Sequence, residues 1–145
     1  MITKRLSIDK YGWEVNCYLA VDAYYAEEIL ADLEYLGCGE DIYAKAKRNL
    51  YRGEMDSGFT YSNKRIGKSV LVVGKTSSRE EEINSIAHEL RHLCDDIASA
   101  YGLSLSGEDV AYLTGDVAMM LAEDICTLAC ECECCKNKRK SLSKR

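Results

Sequence analysis

The chain's only two histidines stand four residues apart, in His88-Glu89-Leu90-Arg91-His92. On an α-helix, side chains four apart lie one above the other, so both imidazoles leave the same face and can share one metal ion at about 2.0 to 2.1 Å. A single Zn2+ is the ion expected there. Glu89 is displaced by one residue, about 100° around the helix, which sets its carboxylate beside the metal rather than on it. From there it can take a proton from water at the metal, the work of a general base in hydrolysis. The competing explanation is a solvated His-Glu pair on a helix surface. Against it, both histidines sit at the edge of the longest amphipathic stretch in the chain, not in the middle of its polar face.

Two imidazoles do not complete a zinc site, and with no further histidine the third donor has to be a carboxylate or a thiolate. Glu108 is the expected donor. It follows His92 by sixteen residues, just past a chain-reversing turn, so the first turn of the next helix can return to the histidines. Its plain role would be that of an acid in a first helical turn, where the dipole favours it. Asp109 is the alternative donor, although Ser106-Gly107-Glu108-Asp109 already fits a capping box that would use it. Asp116, two turns beyond Glu108, can orient a ligand histidine, and Asp96, one turn after His92, competes for that task. Tyr112 fits two roles equally: donor to an oxyanion, or half-buried packing residue.

These side chains need elements to hold them. Leu6 to Asp9 and Trp13 to Leu19, separated by Lys10-Tyr11-Gly12, read as a hairpin. From Asp22 the apolar residues Tyr25, Ile29, Leu30, Leu33 and Leu36 recur at helical spacing until Gly37, and a weaker helix follows from about Glu40 to Leu50. Phe59 to Ser62 and Ser69 to Val73 read as two strands, the second the most β-rich run in the chain. Ser78 with Glu81 fits a capping box opening a long helix. Its apolar positions Ile83, Ile86, Ala87, Leu90, Leu93, Cys94, Ile97 and Tyr101 keep to one stripe. A last helix is expected from Glu108 through Ile125.

A strand, the helix bearing Ala87-His-Glu-Leu-Arg-His92, a glycine-containing turn, then Glu108-Asp-Val-Ala111-Tyr112-Leu-Thr-Gly115 together resemble the small zincin-like domains common in phages and mobile elements. The same residues are more distantly similar to the ImmA/IrrE-type metallopeptidases. The resemblance covers about residues 69 to 122. It implies His88, His92 and Glu108 as zinc ligands, Glu89 as base, a protein or peptide substrate, and Ser69 to Val73 as the strand nearest the cleft. A peptide could add to that strand as a further strand. Thermolysin-like enzymes carry an aspartate four residues after the third ligand; Tyr112 stands there instead. No helix-turn-helix resembling the ImmA partner domain is evident.

At 145 residues the chain suits one domain. The longest unbroken apolar run, Val117 to Ala122, is about a third of a membrane span, so no membrane partner is expected. No apolar stretch follows the basic residues of the N-terminus, so the protein is expected to be cytoplasmic, unless a mature form is shown. Eight cysteines would suggest a disulfide scaffold in a secreted chain, but Cys126, Cys130, Cys132, Cys134 and Cys135 crowd one segment. Thiolates at that density can bind zinc, copper or an iron-sulfur cluster, yet paired CxxC knuckles are missing, and a local run of reduced thiols near a mobile end is the expectation. Residues 136–145 hold six of the 19 basic residues and no acid, leaving 13 basic against 24 acidic residues, or −11, for residues 1–135. An acidic body repels phosphate backbones, so nucleic acid would be met only through that tail.

The expected architecture is thus an α+β, zincin-like single domain over residues 1–135, a small antiparallel or mixed sheet packed on the long His88/His92 helix and a C-terminal helix. Residues 136–145 are expected to be a disordered basic tail. The expected activity is zinc-dependent peptide hydrolysis; the rival is a zinc-binding regulatory or interaction protein without catalysis.

Overall fold

The computed structural model describes residues 1–22, 25–53 and 58–142. The chain is α+β. Strands β1 (Ile2–Ile8), β2 (Trp13–Val21), β3 (Gly58–Asn63) and β4 (Lys68–Gly74) form one mixed sheet of order β1-β2-β4-β3. A single 3-10 turn, Asp9–Tyr11, joins β1 to β2. β1/β2 and β3/β4 are antiparallel hairpins, and β2 pairs with β4 in parallel. That parallel seam needs a crossover connection, supplied by helices α1 (Ala26–Tyr35) and α2 (Glu40–Arg52). The expected helix start at Asp22 runs into residues 23–24, outside the described residues.

Because β2 and β4 are central, alternate side chains are buried on both sheet faces. Trp13, Val15, Cys17, Leu19, Leu71 and Val73 point to one face, where they meet helix α3 (Arg79–Tyr101), helix α4 (Glu108–Met120) and Leu121. Tyr18, Val21, Val70 and Val72 point to the other, packing on Ile29, Leu30 and Leu33 of α1 and Leu50 of α2. Helices therefore cover both faces of the sheet, one more layer than expected. Each fully buried aliphatic side chain stabilises the fold by about 1.5–3 kcal/mol.

Ser78 caps α3, its hydroxyl accepting from Glu81 N–H at 3.2 Å. Gly102 ends it in the left-handed region at φ 66°. The apolar stripe is narrower than the sequence suggests: Ile83 and Tyr101 are about half exposed and Ala87 is exposed, while Glu82, Ser85 and Glu89 are buried. Helix α4 opens without the expected capping box. Gly107 is its cap residue with no side-chain cap bond, Ser106 Oγ lies 3.3 Å from Ser104 Oγ, and Asp109 pairs with Lys10 at 3.8 Å. The helix expected to run through Ile125 breaks at Leu121, and α5 (Ala122–Ala129) follows. At the break Lys4 Nζ donates to the Met120 carbonyl at 2.7 Å and pairs with Asp124 at 2.7 Å.

The basic segment expected to be disordered instead contributes most of helix α6 (Glu133–Leu142); residues 143–145 lie outside the described residues. Its cations find partners on α5 and the turn. Arg139 Nη1 donates to the carbonyls of Thr127, Leu128 and Cys130 at 2.9, 3.2 and 2.6 Å, capping the end of α5. Lys138 pairs with Glu123 and Lys136 with Glu131. Among the described residues no helix is long and apolar enough to cross a membrane.

Candidate functional site

His88 and His92 leave α3 on one exposed face, their Nε2 atoms 3.1 Å apart and their rings edge-on at 77°. Two nitrogens each about 2.0 to 2.1 Å from one tetrahedral ion would be about 3.3 Å apart, so the pair stands close to a metal-sharing separation. Glu89, one residue along, is turned inward and only 2% exposed. The Thr60 hydroxyl on β3 lies 2.8 Å from its Oε2 and 3.1 Å from its backbone oxygen, tying strand to helix.

Between these elements runs an open cleft of about 340 Å³. Gly58, Phe59 and Thr60 of β3 form one wall; His88, Glu89, His92 and Asp96 of α3 form the other. Asp96 is half-buried and 3.9 Å from Lys64 Nζ. Gly58 is required at this wall: a Cβ there would stand 2.1 Å from the Val72 carbonyl oxygen and 3.2 Å from Glu89 Cγ. Sequence reasoning missed Gly58 and Thr60. A glycine opening a strand is a signal of close backbone approach, whereas a lone strand threonine gives none.

The strand nearest the cleft is β3, not Ser69 to Val73 as expected. β4 lies between β2 and β3 and has no free edge, while β3 is an outer strand.

The acidic and aromatic residues of α4 are placed apart from the histidines. Thr114 of α4 lies beside the Cys94 thiol of α3, and Cys94 lies two residues, about 200°, around the helix from His92. Glu108 is a further six residues back along α4, about 9 Å of helical rise, toward the C-terminal end of α3. It is exposed, and no His, Asp or Glu joins His88 and His92 in a set of three ligand atoms mutually within 4.8 Å among the described residues. Tyr112 is 67% exposed and Asp116 is exposed, and neither lines the cleft. α3 runs on to Tyr101, as its apolar stripe predicts, so the turn into α4 begins about 13 Å of helical rise beyond His92.

The cysteine segment is more organised than a local run. Cys126 and Cys130 close α5, Cys134 and Cys135 open α6, and Cys132 lies in the turn between. Two sets of sulfurs lie mutually within 4.8 Å, Cys126/Cys130/Cys135 and Cys132/Cys134/Cys135. This cluster could hold a metal ion. Hydrogen bonds, first from Cys134 and then from Cys130, pull the Cys132 thiol down to about 6, while its bond with Cys132 and its burial push Cys135 up. By contrast burial raises Cys17, inside the core, to about 12.

Compared with known proteins, the chain matches no family model, no curated protein and no solved structure.

Proposed function

We propose that the protein is a zinc-dependent peptidase whose reaction takes place in the cleft between α3 and the outer strand β3. The observation that carries this is a pair of imidazole nitrogens, 3.1 Å apart, on a cleft wall that the Glu89 carboxylate of the same helix also lines. His88 and His92 would hold the ion, whose chemistry when bound is Lewis acidity toward a carbonyl and toward water. Glu89 accepts the proton of the attacking water, its carboxylate fixed by the Thr60 hydroxyl. A substrate backbone adds along β3, which pairs with β4 on one side only. Asp96 is the acidic side chain that shares the cleft with both histidines and Glu89. Glu108 would serve as third ligand only if α4 moved toward the histidines.

The test is a pair of substitutions read on metal content and on cleavage of a peptide library. His88→Ala should lose the cleft zinc. Glu89→Gln should keep it and lose about 10²- to 10⁴-fold in hydrolysis. Equal hydrolysis by Glu89→Gln and the unaltered protein overturns the proposal. The distance of Glu108 from the histidines favours one second reading, zinc binding without catalysis in a regulatory or interaction role. It is supported if zinc is held at His88 and His92 and no library peptide is cut.

A further inference from the structure

We propose that Cys126, Cys130, Cys132, Cys134 and Cys135 form a thiolate site for one zinc ion that ties α5 to α6, separate from the histidine cleft and independent of the peptidase reading. Sequence proximity alone explains Cys132 beside Cys134; it does not explain Cys126 beside Cys135, nine residues on and across the end of a helix. Cys126 stands on α5 and Cys130 is the residue that ends it, and their sulfurs lie within 4.8 Å of each other. The turn then folds the first residues of α6 back onto that pair, so Cys135 Sγ comes to 4.0 Å from Cys126 Sγ and 3.9 Å from Cys134 Sγ. Four sulfurs about 2.3 Å from one tetrahedral zinc are about 3.8 Å apart, nearly the same spacing. Cys135 belongs to both three-sulfur sets, which makes it the common ligand. With Cys126 and Cys130 it supplies three positions. Cys132 and Cys134, whose sulfurs at 3.0 Å are closer than two ligands of one ion would be, supply the fourth between them.

The frame that brings the sulfurs together stands on contacts other than the thiols. Arg139 grips three carbonyls around the end of α5 from the α6 side. Soft sulfur donors select zinc, copper(I) or iron-sulfur clusters. A closed set of four from five cysteines in a helical hairpin has the donor number of a structural zinc site, and it leaves no position for substrate.

The full chain, purified without chelator under reducing conditions, should contain one zinc that survives the double substitution His88→Ala, His92→Ala. Adding Cys135→Ser should remove it. Cobalt(II) titrated into the metal-free double variant should give thiolate-to-cobalt charge-transfer bands that saturate at one equivalent and vanish on adding zinc. Should Cys135→Ser not fold, Cys126→Ser, at an exposed position, should keep the circular dichroism spectrum and weaken cobalt binding by about tenfold or more, since even an outer-shell partner is worth that. Charge-transfer bands absent from the cobalt titration, or undiminished zinc in a folded Cys135→Ser protein, overturn the site; copper or iron-sulfur in place of zinc overturns its metal.

Discussion

Gly58 and Thr60 bear on the cleft as much as the histidines do, because they set where β3 stands against Glu89. A Cβ at Gly58 has no room at 2.1 Å from a backbone oxygen, so β3 must shift away from β4 or from α3. Gly58→Ala is therefore expected to cost about 3 kcal/mol, typical of overpacking at a rigid contact, measured by chemical denaturation. A variant as stable as the parent would show that the strand yields freely. At this scale the histidine pair was legible: a four-residue spacing on a helix fixes relative direction. The third ligand was not, because the sequence distance from His92 to Glu108 does not fix where the first turn of α4 lies against α3. Thr60 was invisible for a related reason, since its contact with Glu89 spans 29 residues.

The long helix α3 begins with a pattern whose meaning local rules capture. Ser78 accepts from Glu81 N–H, and Glu81 in turn accepts from Ser77 N–H and hydroxyl at 3.2 and 2.7 Å. The similar Ser106 pattern is not used at α4, where Gly107 is the cap residue, Ser106 Oγ lies 3.3 Å from Ser104 Oγ and Asp109 pairs with Lys10. Equally, the Met120 carbonyl at the Leu121 break is taken by Lys4, more than a hundred residues earlier. In the first turn of α3, Glu82 is buried, with Oε1 unpartnered and Oε2 accepting from Thr76 at 2.8 Å. Burial lifts its carboxyl above the usual 4.5. An acid raised on folding stabilises the protein below its unfolded value and loses that contribution as pH climbs through the folded value. The stability of the parent relative to Glu82→Gln should accordingly fall as pH rises above the ordinary carboxyl value of 4.5. Thermal melts of both proteins across that rise check it; a difference that is flat or rises with pH refutes it.

For the molecule as a whole, the sheet is shared by two helical layers that touch different faces of the same strands. Hairpins and helices were readable one by one, since alternation and helical spacing are local. The parallel β2/β4 seam, and with it the third layer, was not: it depends on α1 and α2 crossing over one face, and no residue pair in the sequence marks that. The seam should also make unfolding cooperative. The single tryptophan, Trp13, sits in the α3-side core and is 1% exposed. Leu33 is fully buried in the opposite core. Leu33→Ala should cost about 2 to 5 kcal/mol and shift the tryptophan-fluorescence and circular-dichroism transitions together. A fluorescence transition left at its parent midpoint would mean that the two layers melt separately.

The bond from Lys4 to the Met120 carbonyl spans nearly the whole described chain, and it bears on how the protein is made. When a ribosome has released β4, all four strands exist, yet nothing covers Trp13, Val15, Cys17 and Leu19 on the face that α3 to α5 will occupy. At 5–20 residues per second, roughly 3 to 10 s pass before those helices have been synthesised. Throughout that interval those apolar side chains have no α3-side cover, and uncovered apolar surface of this kind is what makes an incomplete chain prone to aggregate.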